Sequence, residues 1–337
     1  MHRSKITIDL GAVRRNAGAL LRVLEGAELW AVVKADGYGH GAVDVGRAAL
    51  EAGATALCVG TVPEALALRR ELDARLIVMG PALPSEVASA REARLELVSA
   101  AGIPEGVPVH LKLDTGMSRW GLSELPSRSR DVVGLMTHLA TADTDPAFAG
   151  QQLERFRAAT NGIPGLTRHA ANSAAALRLP ASRLDAVRCG IAIYGLSPFG
   201  HDPALDGLEP ALRWESHLAR VLSLEAGEGT GYRRTYVASE PAWLGIVPIG
   251  YADGFRRDLE GTEVLVGDER CRAVGTISMD AFAVLLPREL PVGTRVTLIG
   301  DGVLAEEHAR VAGTINYEIV CNINSTPERA QRTVLDA

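Results

Sequence analysis

Between about residue 30 and residue 195, short apolar runs alternate with polar or glycine-rich segments, several of which have helical periodicity. The eight runs are LWAVV, TALCVG, RLIVMG, LELVSA, VHLKL, VVGLMTHLA, TRHAANS and AVRCGIAIYG. Runs of this kind are typical of strands that are buried on both faces of a parallel sheet. Eight such strands with helices between them predict a (β/α)8 barrel, and an open sheet is the alternative.

The connections between these strands are uneven. The segment GAVDVGRAALEAG is predicted to form a helix that ends near Gly53, and QQLERFRAATNG is predicted to form another. By contrast, AGIPEGVP is too short for a crossover helix and SRWGLSELPSRSRD has little helical character. We therefore expect some of the outer barrel helices to be trimmed or absent.

The pattern changes after the segment SPFGHDPALDGLEP. From about residue 212 onward, the runs AWLGIVPIG, EVLVG, AVGTI, FAVLL and RVTLIG are separated by turn residues, as in a mainly β domain. The early run KITIDL could pair with these strands. We therefore predict a barrel over residues 10–211 and a C-terminal β domain over residues 212–337, to which residues 1–9 add a strand.

Composition narrows the possible partners and location. The 337 residues are 47% apolar, which is enough for a large core. A net charge of −6 without a basic stripe argues against nucleic acid as a partner, and no run has the length of a membrane span or the pattern of a signal peptide. The four cysteines are scattered without a CxxC spacing. This argues against disulfides and a metal site, and favours a cytoplasmic protein.

A lysine, Lys34, stands at the end of the first predicted barrel strand in the segment AVVKADGYGHG. The simpler interpretation is a side chain that reaches solvent. The alternative is a desolvated amine at the barrel mouth, which would form an imine with the aldehyde of pyridoxal phosphate. Three glycines, Gly37, Gly39 and Gly41, would let the cofactor's phosphate approach the backbone, and Tyr38 would supply a hydroxyl group.

The segment AVVKADGYGHG resembles the cofactor-lysine signature of the alanine racemases, which are pyridoxal-phosphate enzymes with an N-terminal barrel and a C-terminal β domain. The resemblance continues, in the family's order, through HLKLDTGMSRWG, LMTHLATAD, RHAANSAAALRLP, RCGIAIYGLSP, GYRRTY, PIGYADGF, VGTISMD and GTINYEIVC. Together these motifs span nearly the whole chain. The resemblance implies an isomerase that interconverts L-alanine and D-alanine and so supplies D-alanine for bacterial peptidoglycan.

The resemblance also implies two catalytic bases on opposite faces of the substrate. Lys34 would hold the cofactor and then act as one base, while Tyr232 of GYRRTY would act as the other. A free tyrosine has a pKa of about 10, so it needs cationic or hydrogen-bonding neighbours to work at neutral pH. Taken without this context, Tyr232 would be interpreted as a strand aromatic in the core.

The cofactor would be held by residues from several of these motifs. Arg188 matches the arginine that faces the pyridine nitrogen, and His169 matches the residue that orients this arginine. Because arginine stays protonated and only donates hydrogen bonds, the ring nitrogen would stay unprotonated and the ring would be a weaker electron sink. His138 would lie against the ring. The expected phosphate ligands are Tyr38, Ser173, which could instead be a plain helix cap, the backbone N–H groups of Gly190 and Ile191, and Tyr317.

The substrate would be bound by a further set of residues. Arg119 matches the arginine near the cofactor's phenolate oxygen and the substrate carboxylate. Lys112 is carbamylated in some family members, which would help to fix Arg119, but it could also be an ordinary strand-end lysine. Met279 would offer its backbone N–H to the substrate carboxylate, with Asp280 beside it. Two tyrosines would narrow the entrance, Tyr251 and Tyr317.

In the family, the β domain of one subunit completes the barrel site of the other. Tyr232, Tyr251 and Met279 fall in that domain, so the resemblance implies a homodimer with two shared sites. One departure from the family is the segment NINSTPERAQR, which replaces an arginine-valine-proline-arginine ending and could affect the dimer interface or the substrate channel.

Other functions are compatible with parts of this pattern. They are a racemase of broader range, which would accept serine for example, a barrel-type amino-acid decarboxylase, and a non-catalytic carrier of pyridoxal phosphate. Small barrel proteins of the carrier kind share the lysine but lack the β domain, whereas this chain has that domain and Tyr232 within it.

Overall fold

The computed structural model describes residues 2–127 and 129–336, which form two compact units. One unit, called here the barrel unit, comprises Ala12–Phe199 and Ala204–Glu209. The other, called the β unit, comprises Met1–Gly11, Gly200–Pro203 and Pro210–Ala337.

The strands and helices follow one another along the chain with short connections. The strands are β1 (Lys5–Asp9), β2 (Glu28–Val32), β3 (Ala56–Val59), β4 (Leu76–Val78), β5 (Glu96–Ser99), β6 (Val109–Lys112), β7 (Val132–Met136), β8 (Thr167–His169), β9 (Ala186–Cys189), β10 (Leu212–His217), β11 (Arg220–Leu224), β12 (Gly229–Thr230), β13 (Tyr236–Val237), β14 (Ala242–Val247), β15 (Glu263–Val266), β16 (Glu269–Val274), β17 (Phe282–Leu286), β18 (Arg295–Ile299) and β19 (Gln331–Leu335). The α-helices are α1 (Leu10–Leu24), α2 (Ala42–Glu51), α3 (Val62–Glu71), α4 (Val87–Glu92), α5 (Pro146–Thr160), α6 (Ser173–Arg178), α7 (Ala305–Val311) and α8 (Asn316–Cys321).

Strands β2 to β9 form a closed parallel barrel, in which β9 pairs with β2. Each of the eight predicted runs contributes one strand, so the predicted barrel is confirmed and the open sheet is excluded. The strands β3, β6 and β9 are buried at every position, as expected for parallel strands that are covered on both faces.

Both predicted connecting helices are present, as α2 and α5, and local signals set their ends. Helix α2 ends close to Gly53, which has a left-handed φ of 109° and donates its N–H to Leu50. Helix α5 begins earlier than predicted, because the Asp145 side chain accepts a hydrogen bond from the N–H of Phe148 and Pro146 occupies the first turn. Within residues 2–127 and 129–336, no helix connects β5 to β6 or β6 to β7, as the sequence predicted.

The β unit is built on a nine-stranded sheet with the order β11-β14-β17-β16-β15-β18-β10-β1-β19. Strand β1 pairs antiparallel with β10 and parallel with β19, which confirms the predicted pairing of KITIDL. The predicted run AVGTI was wrong in its bounds, because β16 ends at Val274 and the next residue, Gly275, has a left-handed φ of 70°. Among the described residues, no helix is both long and apolar enough to cross a bilayer.

Candidate active site

Lys34 follows barrel strand β2 after one residue and begins a tight left-handed turn. The φ angles of Ala35, Asp36 and Gly37 are 52°, 49° and 61°, and Tyr38 also has a positive φ of 53°. Left-handed backbone costs a residue with a Cβ roughly 1–2 kcal/mol, so this turn needs contacts from elsewhere in the chain. The Lys34 side chain is exposed. In the single chain, solvent therefore still reaches this residue, and the desolvation of its amine stays a prediction.

Glu64, near the start of α3, supplies such contacts and was missed in the sequence analysis. One carboxylate oxygen accepts a hydrogen bond from the N–H of Ala35 at 2.7 Å. The other accepts from the N–H groups of Gly60 and Thr61, at 2.7 and 3.1 Å. The Thr61 hydroxyl accepts in return from the N–H of Glu64, which completes a capping box. The spacing Thr61-x-x-Glu64 could have revealed the cap, but the contact with Ala35 is tertiary.

Tyr38 is buried beside the backbone of Gly190. Its ring lies 5.0 Å from the ring of Tyr194, whose hydroxyl donates to the carbonyl of Val32 at 2.8 Å. A Cβ on Gly190 would lie 2.5 Å from the Tyr38 hydroxyl oxygen. Only glycine allows this close approach, so the Tyr38 hydroxyl and the backbone that leads into Ile191 lie side by side.

Ser173 joins the same group of polar atoms. Its hydroxyl oxygen accepts hydrogen bonds from the N–H of Gly190 at 3.0 Å and the N–H of Ala192 at 3.5 Å. The helix cap of α6 is the preceding residue, Asn172, whose side chain accepts from the N–H of Ala175. The interpretation of Ser173 as a plain helix cap is therefore wrong.

Arg188 is buried in β9 and donates to several acceptors. Its Nη1 lies 2.7 Å from Nδ1 of His169. Its Nη2 donates to the carbonyls of Thr137 and Ala170, at 3.0 and 3.1 Å, and lies 3.3 Å from Nδ1 of His138. Among the described residues, the buried Nε has no hydrogen-bond partner. Burial lowers the pKa of Arg188 to about 10, so it remains a cation at neutral pH and keeps one unused donor.

Lys112 is buried at the end of β6, whereas Arg119 is exposed. The Lys112 ammonium and the Arg119 guanidinium lie 5.7 and 5.2 Å from the centre of the Trp120 ring. Burial, with the charges of Arg119 and Arg188, lowers the pKa of Lys112 to about 8. Burial and the charge of Arg188 also lower the pKa of His138 well below its usual value, so its imidazole is neutral.

The β unit carries the remaining predicted residues. Tyr232 is 70% exposed in a turn after Gly231, which excludes the interpretation as a core aromatic. Its carbonyl accepts a hydrogen bond from the Thr276 hydroxyl at 3.1 Å. Beside it lies a cleft of about 360 Å³, lined among others by Thr230, Tyr232, Thr276, Ser278 and Phe282. Tyr317 lies in helix α8 and is half-buried.

Met279 lies in a turn that packs on the backbone around Tyr251. The N–H of Tyr251 donates to the carbonyl of Ser278 at 3.0 Å, and the N–H of Ala252 donates to the carbonyl of Met279 at 3.1 Å. A Cβ on Gly250 would overlap the backbone of both Ser278 and Met279. Gly250 therefore permits the contact that places Met279 beside Tyr251.

Two arginines that the sequence analysis missed hold this turn through carboxylates. Arg329 lies 2.9 Å from the fully buried Asp253 and donates to Asp280 at 2.9 Å. Arg3 donates to Asp253 at 2.6 Å and lies 3.7 Å from Asp280. The side chain of Asp280 thus helps to fix the turn that carries Met279.

The structure groups the predicted residues into two sets, one in each unit. The barrel unit holds Lys34, Tyr38, Lys112, Arg119, His138, His169, Ser173, Arg188, Gly190 and Ile191. The β unit holds Tyr232, Tyr251, Met279, Asp280 and Tyr317.

Two family models together match most of the chain. The family described as alanine racemase, N-terminal domain, matches residues 8–198, and the family described as alanine racemase, C-terminal domain, matches residues 211–331. The chain belongs to the alanine racemase family. The resemblance drawn from the motifs is therefore confirmed, and so is its fold, a parallel barrel followed by a mainly β domain.

Relatives match this alanine racemase family member over almost its full length. An alanine racemase of Geobacillus kaustophilus is 41% identical over 94% of this chain and 91% of its own. One of Lactiplantibacillus plantarum is 39% identical over 96% of both chains. Among solved structures, the biosynthetic alanine racemase of Pseudomonas aeruginosa is 35% identical, covers 100% of both chains and has a TM-score of 0.92. That of Streptomyces coelicolor A3(2) is 37% identical, covers 99% and 98%, and has a TM-score of 0.91. The chain therefore has the function of this family, alanine racemisation, and the family's members are isomerases that depend on pyridoxal phosphate.

Proposed function

We propose that the protein interconverts L-alanine and D-alanine with pyridoxal phosphate as its cofactor. The observation that carries this proposal is the buried Nε of Arg188 in barrel strand β9, which has no hydrogen-bond partner within residues 2–127 and 129–336. Lys34 follows strand β2, which pairs with β9, so Lys34 and Arg188 lie near the carboxyl ends of neighbouring strands. Parallel barrels bind their substrates and cofactors at this end of the strands.

The residues of the barrel unit fit this cofactor. The unused N–H donor of Arg188 matches the acceptor that an unprotonated pyridine nitrogen offers, and its neighbour His138 is neutral. The hydroxyl groups of Tyr38 and Ser173 lie next to the backbone of Gly190, where a phosphate would find several donors. Lys34 would hold the aldehyde carbon, Tyr317 would complete the phosphate site, and His169 would keep Arg188 in place.

Two side chains would move the proton at the α-carbon of the substrate. When bound, the cofactor supplies an electron sink that stabilises negative charge on this carbon. The amine of Lys34 would take or return the proton on one face, and the phenol group of Tyr232 would do so on the opposite face. Removal on one face and return on the other inverts the configuration, which is what racemisation requires.

The substrate carboxylate would be bound from both sets of residues. Arg119 would pair with it, and the backbone N–H of Met279 would donate to it, while Tyr251 and Tyr317 would narrow the entrance.

We propose that Lys112 is carbamylated, because its lowered pKa leaves part of the amine neutral near neutral pH and a neutral amine is the form that reacts with carbon dioxide. The resulting anion would pair with Arg119.

A homodimer would bring the two sets together across subunits. The side chains of Tyr232, Met279 and Tyr251 are 70%, 53% and 44% exposed, although two of them are aromatic and the third is apolar. Such a group of exposed residues is typical of a surface that another chain covers. In this arrangement the β unit of one subunit supplies Tyr232 to the barrel unit of its partner.

The product would serve bacterial peptidoglycan synthesis in the cytoplasm. Three of the four cysteines, Cys58, Cys189 and Cys271, are buried free thiols, which suits a reducing compartment.

The test is chiral analysis of alanine after the purified protein has been incubated with L-alanine and pyridoxal phosphate. We expect an approach to an equal mixture of the two enantiomers, and the Lys34→Ala variant should lose both this activity and the visible absorbance of the bound cofactor. Bound cofactor without any D-alanine would overturn the proposal. Serine and larger amino acids would then show whether a broader racemase or a cofactor carrier is the better description.

A further inference from the structure

A column of five polar side chains crosses the interior of the barrel unit. Arg75, just before β4, donates to both carboxylate oxygens of Glu96 at 2.7 and 2.9 Å. Glu96 lies 2.7 Å from Nε2 of His110, and Nδ1 of His110 lies 2.9 Å from Nε2 of His169. Nδ1 of His169 lies 2.7 Å from Arg188. These contacts connect the start of the barrel strands with the arginine near their carboxyl ends, and we call them the Arg75–Arg188 column.

The chemistry of the end groups fixes the position of every proton in this column. Arg188 can only donate, so Nδ1 of His169 must accept and its proton must be on Nε2. This Nε2–H then donates to Nδ1 of His110, which places the proton of His110 on Nε2. That N–H donates to the carboxylate of Glu96. Both imidazoles are therefore neutral, and both are the Nε2–H tautomer.

Close packing around His110 and His169 holds both imidazole rings in these positions. His110 and His169 are fully buried, and the ring of Trp30 packs against them with centroid distances of 5.6 and 4.6 Å. Gly134 of β7 pairs with His110, and a Cβ on this glycine would overlap the imidazole ring. Burial lowers the pKa of His110, and that of His169 well below its usual value.

Arg75 controls how strongly the Glu96 carboxylate favours a second proton on His110. Burial would raise the pKa of Glu96, but the hydrogen bonds from His110 and Arg75 outweigh it and lower that pKa to about 2. Without Arg75, the carboxylate would draw a second proton onto His110. A protonated His110 would point an Nδ1–H at the Nε2–H of His169, and the rearrangement would remove the acceptor of Arg188.

We propose that Arg75 and Glu96 are positioning residues for Arg188. Glu96 accepts the Nε2–H of His110, and Arg75 keeps this carboxylate from drawing a second proton onto the imidazole. His169 thereby keeps the acceptor that holds the guanidinium. The proposal rests on the proposed function, in which Arg188 faces the cofactor. Neither Arg75 nor Glu96 touches the reacting atoms in this arrangement.

In the part of the chain that the structure describes, the other ionisable groups around His110 do not supply a competing proton acceptor. Glu28 lies 3.5 Å from Arg75, and its carboxylate also accepts a hydrogen bond from the Trp30 indole at 2.7 Å. Burial raises the pKa of Cys58 to about 12, so its thiol is neutral. The charge of Arg188 opposes protonation of His110. Glu96 is therefore the anion whose negative charge Arg75 offsets beside His110.

The test is nitrogen-15 NMR of the histidine side chains in the cofactor-loaded protein, with the pH dependence of racemisation measured in parallel. In the wild type, His110 and His169 should remain neutral Nε2–H tautomers from about pH 8 down to about pH 5. In Arg75→Gln, His110 should titrate with a midpoint at or above about 6.5, the ordinary histidine value. Racemisation should fall at least about tenfold below this midpoint, the loss expected when a charged contact is broken. In the double variant Arg75→Gln/Glu96→Gln, the anion is absent and both the neutral tautomers and the acid-side activity should return.

Matched controls separate this role from general loss of an ion pair. Arg15 makes the same two-point contact with Glu209, at 2.7 and 2.8 Å, on the exposed surface of the barrel unit. Arg15→Gln should leave the histidine signals and the pH profile unchanged. If Arg75→Gln does not fold, Arg75→Lys keeps the charge with a single contact and should give a smaller upward shift of the His110 midpoint.

The outcomes distinguish this proposal from the proposed function. A His110 that stays neutral to about pH 5 in the Arg75 variants would overturn the proposal, and so would a double variant that remains sensitive to acid. The expected histidine titrations in a protein that forms no D-alanine would support the column and contradict the racemase function, because the NMR signals do not depend on turnover.

Discussion

The Glu64→Ala substitution tests whether a carboxylate holds the left-handed turn at Lys34. Glu64 accepts hydrogen bonds from the N–H groups of Ala35 and Gly60, at 2.7 Å each, in addition to its capping contact with Thr61. The substitution removes all three acceptor contacts and leaves the turn without this support. We expect the folded state to be less stable and Lys34 to lose its fixed position.

A matched control isolates the contacts with the turn. Glu86 occupies the same position at the start of a helical segment, and within the described residues it accepts only from the N–H of Leu83, at 2.8 Å. The excess effect of Glu64→Ala over Glu86→Ala therefore reports the contacts with Ala35 and Gly60. A hydrogen bond to a charged group is worth roughly 1.5–3 kcal/mol, and since the Ala35 contact is exposed we take the lower value for each, about 3 kcal/mol in all.

The free energy that these contacts contribute, about 3 kcal/mol, is comparable with the backbone strain in the turn. Three residues with a Cβ have left-handed φ, namely Ala35, Asp36 and Tyr38, at a cost of roughly 1–2 kcal/mol each. Because the lost contacts and the stored strain are similar, the turn is expected to relax in the variant. Relaxation would weaken the binding of pyridoxal phosphate at Lys34 by at least about tenfold, which corresponds to about 1.4 kcal/mol.

The assay combines urea unfolding at one fixed protein concentration with titration of the cofactor by its visible absorbance. Glu64→Ala should lose about 3 kcal/mol more than Glu86→Ala, and Glu64→Gln, which keeps one acceptor oxygen, should fall between Glu64→Ala and the wild type. Equal losses in Glu64→Ala and Glu86→Ala, with equal cofactor affinity, would refute the argument that Glu64 supports the turn.

Three further measurements test other parts of the site. Tyr232→Phe should keep the visible absorbance of the bound cofactor and lose racemisation chiefly in the L-to-D direction, and unchanged turnover in both directions would contradict the two-base assignment. Protein incubated with carbon-13 bicarbonate should show a carbamate signal in carbon-13 NMR that Lys112→Met removes and Lys5→Met retains; identical spectra would mean that Lys112 is unmodified. Glu96 has a pKa lowered from 4.5 to about 2, so it contributes its full stabilisation above about pH 4.5 and loses it as the pH falls toward 2. Urea unfolding of Glu96→Gln should therefore show a smaller loss of stability over this range than the wild type, and parallel curves would argue against the pairing.

The barrel could be predicted because its strands differ sharply in composition from their connections. Each buried parallel strand must be apolar on both faces, and this produces a run that is visible in the sequence. Helices α7 and α8 were not predicted, because each is short and their first flanking residues, Leu304 and Ile315, provide no side-chain cap. Without Ser, Thr, Asp or Asn at that position, the start of a helix has no local signal.

In the candidate site, the residues within motifs could be predicted from the sequence, but the residues that support them could not. Lys34 and Arg188 stand in motifs that identify them, and the glycines around Tyr38 indicated a backbone that a phosphate could approach. The residues that hold these groups could not be found in the same way. Glu64 and Glu96 act through contacts with residues that are distant in the sequence, and a carboxylate on a helix or at the start of a strand has no feature that marks such a contact.

The divergent segment NINSTPERAQR contributes to the support of the turn that carries Met279. Arg329 lies within it and still reaches both Asp253 and Asp280, and Arg3 from the other end of the chain reaches the same two carboxylates. A fully buried carboxylate such as Asp253 is unfavourable without a partner, so its two arginines constrain the backbone around it. The turn that carries Met279 depends on these charges. The segment that departs from the family's ending therefore supplies one of the two arginines that support Met279, whereas its expected effect on the dimer interface or the substrate channel stays a prediction.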